Sequence, residues 1–390
     1  MEKLRTSYGK HKKQVGLFDY LPEEIIIEIL CKLPIKSIVR FSSACKSFYF
    51  LIKNPNFIAT HLTKTLLAGP ESDPLLLVRR EVEGGEDRLA FHVDNHEFKE
   101  YMLLNLPFQS STPWFHVAGT CNGLVCLWDD FDTIILWNPL IQKSLFVPKP
   151  RMVSQPHQVC FMALRPFRLC FGFGFDHFRN DYKVLRIVQN FGDHHLQGSI
   201  EVDIFSLNAR SWKLLKPAIL PGVRIIECYS LAFVNGSIHC LGFRTRNVVL
   251  GFDVVNKVFR EIMLPDSLAT ASQNDLSLTP FKDTLIAVIK LARRHECWIM
   301  KEYGEVESWT KLLVIRPRFD LGEVLAFRLN GEVLYEGLSN AKIFAYNPVD
   351  KKITFLGARS SLYASFCSYY RKSLVLLDIG INANVNLKKG

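Results

Sequence analysis

Tight-turn pairs recur along this chain at nearly regular intervals, and that period restricts the fold more than any other feature. Asn122-Gly123, Asn180-Asp181, Asn235-Gly236, Lys282-Asp283, Asn330-Gly331 and Arg371-Lys372 stand 58, 55, 47, 48 and 41 residues apart, a mean near 50. Asn-Gly between apolar runs signals a hairpin, because both residues accept the positive φ that a two-residue turn demands. Most units share one grammar. An apolar strand follows the turn, as at 123–127, 237–241 and 332–335. A loop leads to a strand that ends in a polar turn, at 135–139, 249–253 and 343–348. A last strand closes the unit near 143–147, 259–264 and 352–356. Units of several strands repeating near every 50 residues read as a β-propeller.

Five units fit between about 117 and 357. The apolar stretches 362–368 and 373–378 make half a unit, and 75–80 with 88–94 make the other half. Joining the halves closes a six-bladed, kelch-like ring. Closure removes the open sheet edges that would otherwise pair with other chains. The 29 Phe, 12 Tyr and 6 Trp suit such a strand-rich fold.

The residues before the repeat follow another period. Leu21-Pro22-Glu23-Glu24 opens a helix: proline costs nothing at the first turn, and the two carboxylates oppose the helix dipole. Ile25, Ile26, Ile29, Leu30 and Leu33 follow helical spacing, and Pro34 stops the run. A second helix is expected from about Ile35 to Phe41. A third runs from Ala44 to Ile52 and ends before Asn54-Pro55. A unit of about 40 residues cannot bury its apolar surface alone and wants a partner. The bland alternative is a helical cap packed on the propeller.

These helical residues carry a resemblance. Leu21-Pro22-Glu23-Glu24, Glu28-Ile29-Leu30, Leu33-Pro34-Ile35-Lys36-Ser37, Arg40-Phe41, Cys45-Lys46-Ser47-Phe48, Leu51-Ile52, Asn54-Pro55 and Phe57 resemble an F-box over about residues 18–62. The resemblance implies docking on a Skp-type adaptor and, through it, on cullin and RING subunits. It places Leu21, Pro22, Ile29, Leu30, Leu33, Pro34, Ile38, Cys45 and Phe48 at packing and adaptor-binding positions. Phe48 stands where the family usually has Trp, and Ala44 where it has Val; both reduce apolar area.

The repeat carries a second resemblance. Gly119-Thr120-Cys121-Asn122-Gly123-Leu124-Val125, Leu136-Trp137-Asn138-Pro139, Gly172-Phe173-Gly174-Phe175-Asp176 and Asp181-Tyr182-Lys183-Val184 are similar to the F-box-associated, kelch-type interaction domain of plant F-box proteins. So are Glu201-Val202, Ser206-Leu207, Ser211-Trp212, Val234-Asn235-Gly236 with His239, Trp298 to Gly304, and Glu307 to Lys311. Cys240 replaces the family's usual Trp after His239. The expected organisation is a basic tail over 1–17, an F-box over 18–62, a linker over 63–73, a propeller over 74–380 and a tail over 381–390. The implied function is the substrate-recognition subunit of a Skp–cullin–F-box ubiquitin ligase. Its propeller holds a protein target, and the chemistry belongs to the partner subunits.

Other classes find little support. No apolar run spans a bilayer, and the polar start, Met1 to Lys13, is not a secretory signal, so cytoplasm or nucleus is expected. Ten Cys are scattered without a zinc pattern, which implies reduced thiols. His194-His195 has no other ligand at a set spacing, and no metal or cofactor is expected. The 172–176 run lacks the third glycine of a dinucleotide fingerprint, and no catalytic motif appears. A propeller glycosidase would need paired carboxylates. Net charge is +10, yet residues 1–64 hold eleven Lys/Arg against five Asp/Glu, so the excess is concentrated there without a nucleic-acid motif.

The expected target surface follows from strand order. In a four-stranded antiparallel blade, the loop between the second and third strands shares a face with the connection to the next blade. The Asn-Gly turns occupy the other face. The first of these faces collects Phe191, His194, His195, Arg244, Arg246, Arg293 and Arg294. Inter-blade connections add Arg151, Arg165, Arg168, Arg224, Arg316 and Arg318, with Trp114 and Phe115 before the first full unit. Asp129, Asp130, Asp132, Asp266 and Asp320 lie there too. Arginine and aromatic side chains dominate interface hot spots, so an acidic or phosphorylated segment of the target is the expected ligand, against plain solvated loop charge.

Overall fold

Proline sets both helix starts in the N-terminal unit. Pro22 and Pro34 each take an extended backbone and cap α1 (Glu23–Cys31) and α2 (Ile35–Phe41), Pro22 one residue earlier than its expected first-turn position. A computed structural model of the chain describes residues 21–68, 74–81, 87–108, 115–129, 133–150, 167–190, 199–216, 222–226, 231–292, 294–316, 321–338, 340–361 and 366–378. After α3 (Lys46–Ile52), the expected end of the helical unit becomes a beginning. Pro55 opens α4 (Pro55–Leu67), and the Asn54 side chain accepts the Asn56 N–H at 2.8 Å. Asn-Pro stops one helix and caps the next, so the helical unit runs past residue 62.

Six antiparallel sheets follow. The first begins with β1 (Leu75–Glu81), β2 (Asp87–Val93) and β3 (Glu100–Leu103). The second is β4 (His116–Cys121), β5 (Leu124–Trp128), β6 (Ile134–Asn138) and β7 (Lys143–Val147). The third is β8 (Phe167–Asp176), β9 (Asp181–Asn190), β10 (Ile200–Ser206) and β11 (Ser211–Leu215). The fourth has β12 (Arg224–Ile225) and β13 (Ala232–Val234) both paired to β14 (Ser237–Phe243), then β15 (Asn247–Asp253) and β16 (Val258–Met263). The fifth is β17 (Leu276–Phe281), β18 (Thr284–Leu291), β19 (Arg294–Met300) and β20 (Trp309–Ile315). The sixth is β21 (Leu321–Phe327), β22 (Val333–Gly337), β23 (Lys342–Tyr346) and β24 (Ile353–Arg359). Finally β25 (Cys367–Tyr370) returns to complete the first sheet. This is the expected six-bladed propeller.

The closure differs from the expected two-plus-two split. Three strands come from before the repeat and one from its end: β25 pairs with β1 from Leu75 opposite Tyr370 to Val78 opposite Cys367. Residues 373–378 form no strand, and Arg371-Lys372 is no hairpin turn. The apolar run Leu374 to Leu377 is buried instead as a plug. Side chains take its backbone groups. Asn138 Nδ2 donates to the carbonyls of Ser373 and Val375, at 3.0 Å each. The Ser373 hydroxyl donates to the Asn122 carbonyl at 2.6 Å. With those carbonyls satisfied, no sheet partner is required.

Antiparallel order sorts the connections onto two faces. Turns such as 122–123, 177–180, 207–210, 254–257 and 301–305 occupy one, here the turn face. Loops between second and third strands, with the inter-blade connections, occupy the other, the connector face. Asn122 and Gly123 both have positive φ, as a two-residue hairpin turn requires. Blades pack through their strands. A Cβ on Gly172 would lie 2.4 Å from Ile238 Cγ2, and one on Gly174 would lie 2.6 Å from the Phe233 ring. The glycines of the 172–176 run therefore let the third blade approach the fourth.

The seam between sixth and first blades is clamped by charge. Arg328 is buried beside β21. Its Nε donates to Asp94 Oδ1 at 2.6 Å, Nη1 to Glu332, and Nη2 to the Asn95 carbonyl at 2.6 Å. Tyr369 of β25 donates its hydroxyl to Asp94 Oδ2 at 2.5 Å and accepts the Leu329 N–H at 2.8 Å. Arg328→Ala leaves Asp94 buried without its cation and should destabilise the fold by about 3–5 kcal/mol. Tyr369→Phe should cost about 1–2 kcal/mol. Urea unfolding checks both.

Acid should loosen the ring as well. Burial pushes His239 down to about 4, against the hydrogen bond that Ala232 O offers its charged form. His92, His295 and His61 are lowered by the same cause. The unfolded chain takes up these protons near the ordinary value of about 6.5, while the folded chain resists them. Stability should therefore be full above about pH 6.5 and fall as pH drops toward 4. Urea midpoints measured from pH 7.5 to 4.5 check this, and the slope should be shallower in His239→Gln.

Candidate interaction surfaces

The four short helices supply more apolar surface than one face can bury. Leu30, Ile35, Ile38, Ile52, Phe57, Ile58 and Leu62 turn inward and share a continuous core with Leu374 to Leu377 of the plug. Arg371 Nη1 donates to the Thr65 carbonyl at 3.0 Å, and Lys36 lies 5.9 Å from the centroid of the Tyr101 ring. Lys64 of α4 bonds Glu28 of α1, which holds that carboxyl below its usual range, mainly through the hydrogen bond. Burial raises the Cys31 thiol. The helical unit is thus docked on the turn face of the propeller, as the bland alternative required. Its outer side is different. Phe50 is 70% exposed, Ile25 46%, Tyr49 44% and Ile29 40%. The Tyr49 and Phe50 rings meet edge-on with centroids 5.6 Å apart.

The nine residues singled out for this unit divide accordingly. Pro22, Ile29, Pro34 and Cys45 are exposed; Leu21, Leu33 and Phe48 are half-buried; Leu30 and Ile38 are buried. The last two act through packing rather than surface contact. Ile25, Phe41, Tyr49 and Phe50 join the outer side. For Tyr49 and Phe50 the signal in the sequence was the apolar run Phe48-Tyr49-Phe50-Leu51-Ile52, which leaves no polar face on that part of α3.

On the connector face, neighbours answer most of the basic residues within the description. Arg244 pairs with Glu261 at 3.2 Å and Arg246 with Asp266 at 2.6 Å. Arg294 and Lys311 both hold Glu296, each at 2.8 Å, and these bonds, that of Lys311 first, keep its carboxyl below the usual range. Arg168 Nη1 donates to the Ile225 and Ile226 carbonyls at 2.6 and 3.1 Å. Arg224 bonds Gln273 and lies over the Phe243 ring, 5.7 Å from its centroid. Arg316 is exposed. Phe115 is removed from the surface: it is buried edge-on against Phe108, with centroids 5.4 Å apart. Trp114, Phe191, His194, His195, Arg293 and Arg318 lie outside the described residues, as do Arg151 and Arg165. Among the described residues no cluster of three His, Cys, Asp or Glu could hold a metal ion, and no helix is long and apolar enough to cross a membrane.

Residues 89–375 match the F-box associated beta propeller domain family, and residues 18–60 match the F-box domain family. The chain belongs to the F-box-associated β-propeller family. Its relatives in Arabidopsis thaliana include proteins named for the F-box, one of them also for kelch repeats. F-box protein At3g07870 is 29% identical over 385 residues, spanning 85% of this chain and 86% of its own. F-box protein CPR1 is 25% identical over 394 residues, spanning 95% and 92%. F-box/kelch-repeat protein At3g23880 is 26% identical over 302 residues, spanning 76% and 79%. This chain is a plant F-box protein with a C-terminal interaction domain.

Inward and outward positions of the F-box should separate in stability. Ile38→Ala removes a fully buried side chain and should cost about 2–5 kcal/mol. Phe50→Ala, on the outer side, should stay within about 0.5 kcal/mol of the parent. Thermal unfolding followed by circular dichroism checks the contrast.

Proposed function

We propose that this F-box protein is the substrate-recognition subunit of a Skp–cullin–F-box ubiquitin ligase in the cytoplasm or nucleus. The F-box binds the Skp-type adaptor, the adaptor links it to cullin and RING subunits, and the propeller holds a target protein for ubiquitination. The observation that carries this reading is the two-sided F-box. One side is committed to the propeller, while the other offers Ile25, Ile29, Tyr49 and Phe50 to water. Clustered exposed apolar side chains on a folded surface mark an interaction site. In this reading exposed Pro22, Pro34 and Cys45 would add to the contact, and half-buried Leu21, Leu33 and Phe48 would support it.

The connector face is the target surface in this reading. It is the face opposite the F-box, so a bound protein would not collide with the adaptor. Arg244, Arg246 and Arg294 would exchange their present carboxylates for those, or the phosphates, of the target. The Arg244–Glu261 and Arg246–Asp266 pairs are partly exposed and contribute only about 0–1 kcal/mol in water, so their exchange costs little, while buried Glu296 would keep Lys311. Arg316 would add to the face, with Trp114, Phe191, His194, His195, Arg293 and Arg318 if their loops gather there as strand order implies. The subunit would supply no catalytic group of its own.

Co-expression with a Skp-type adaptor tests the assembly. Leu21→Ala/Pro22→Ala and Tyr49→Ala/Phe50→Ala should each abolish co-purification while the propeller stays folded. Retained binding in both would overturn the F-box surface. Adaptor-linked capture under proteasome inhibition, read by mass spectrometry, should return a target. Arg244→Glu/Arg246→Glu should weaken that capture by about tenfold or more with adaptor binding intact. Wild-type ubiquitination of the captured target by this variant would remove the connector face from the reading.

A further inference from the structure

We propose that the turn face of the third and fourth blades is a separate docking surface, and that it takes an acidic peptide segment of a partner protein anchored on Phe178. Phe178 is 76% exposed in the 177–180 turn between β8 and β9. Nothing about that turn is loose. Asp176 Oδ1 accepts the Phe178 and Arg179 N–H groups at 3.2 and 3.1 Å, and Asp176 Oδ2 accepts Arg179 Nη1 at 3.1 Å. Asn208, from the turn after β10, donates to the Arg179 and Asn180 carbonyls at 3.1 and 3.2 Å. The His177 ring stands 4.1 Å from the Phe178 ring, centroid to centroid. A large apolar side chain held outward by a fixed turn loses little entropy when a partner covers it.

Charge complementarity identifies that partner. Arg179 Nη1 reaches to 3.5 Å from the Val255 carbonyl, so the turn of the third blade abuts the 254–257 turn of the fourth. Around the junction stand Arg210, Lys213 and Lys257, none of them in an ion pair among the described residues. Lys257 is lowered first by burial and then by Lys183, Lys213 and Arg179, so these cations lie within electrostatic reach of one another. The carboxylates here are spent on the fold. Asp176 is buried in its turn. Asp181 is buried and bonds Lys183, Ser206 Oγ and the Asn208 N–H. Asp253 takes the Val255 and Asn256 N–H groups, each at 2.9 Å, with Asn256 Nδ2 at 2.8 Å. The positive surface ends at the turn of the fifth blade, which carries Glu302, Glu305 and Glu307. The contrast with the connector face is direct: Arg244, Arg246 and Arg294 have carboxylate partners there, and Arg210, Lys213 and Lys257 have none among the described residues. The fitting ligand is a carboxylate-rich segment with one apolar residue to cover Phe178. It would bind beside the F-box, on the face away from the proposed target.

The test uses the full chain co-purified with a Skp-type adaptor. The probe is a fluorescein-labelled 14-residue Asp/Glu peptide with a central Leu, followed by anisotropy at physiological salt. Saturable binding is expected. It should fall by about tenfold or more in Arg210→Glu/Lys213→Glu/Lys257→Glu and in Phe178→Ala. It should be unchanged in Arg244→Glu/Arg246→Glu, so failure here is distinct from failure of the target face. Arg210, Lys213 and Phe178 are exposed and Lys257 is half-buried, so the melting temperature should change little. Replacing the central Leu by Asp should remove the Phe178 effect. Three outcomes would overturn the proposal: no saturable binding, binding indifferent to Phe178, or tighter binding of a single-stranded oligonucleotide of similar length through the same residues.

Discussion

Pairing of β25 with β1 is the constraint on which the rest of the molecule depends. It joins residues almost at opposite ends of the repeat, from Leu75 opposite Tyr370 to Val78 opposite Cys367. The cost of closing so long a loop grows only with the logarithm of its length, so a few ladder hydrogen bonds and one buried clamp can meet it. The clamp is Arg328, which gathers Asp94, Glu332 and the Asn95 carbonyl while Tyr369 holds the other oxygen of Asp94. Without closure, β1 would present an open edge to other chains.

Closure also decides where the F-box sits. The chain leaves β25 on the turn face and immediately forms the plug, whose leucines share a core with Leu30, Ile38 and Ile52. Gly123 is part of the same arrangement. A Cβ at that position would lie 2.2 Å from Ser373 Oγ, so the Asn122-Gly123 turn receives the plug only because it carries no side chain. The helical unit is held on this face by the core it shares with the plug and by Arg371 Nη1, which donates to the Thr65 carbonyl at 3.0 Å. Orientation of the F-box against the blades is therefore a property of packing.

The two faces differ in how their charges are used. On the connector face, Arg244, Arg246 and Arg294 meet carboxylates from adjoining strands and loops. On the turn face, Asp176 and Asp253 cap their own turns, which leaves Lys213 and Lys257 without carboxylate partners among the described residues. Similar residue types are thus paired on the connector face and, among the described residues, left without carboxylates on the turn face of the third and fourth blades.

Much of this organisation was legible in the sequence, because it rests on local chemistry. The Asn-Gly turns need positive φ, and blade strands alternate with them at a near-constant period. Pro22 and Pro34 punctuate the F-box helices. These features depend on a few adjacent residues, so the six-bladed ring and its helical preface could be read in order along the chain. Other assignments were settled only by tertiary contacts. Ile29 and Leu30 have nearly the same hydrophobicity, yet one faces water and the other the plug, since the direction of burial depends on what arrives from residue 374 onward. The run Leu374 to Leu377 has the composition of a strand, but Asn138 takes two of the backbone carbonyls that a sheet would have used. Pro55 stops one helix and opens another because Asn54 is free to cap it. Arg244 and Arg246 look like free cations until β16 brings Glu261 and the following connection brings Asp266. Apart from the local Asn54 cap, these outcomes turn on groups separated in sequence, which the folded blades, and for the plug the closed ring, bring within bonding distance.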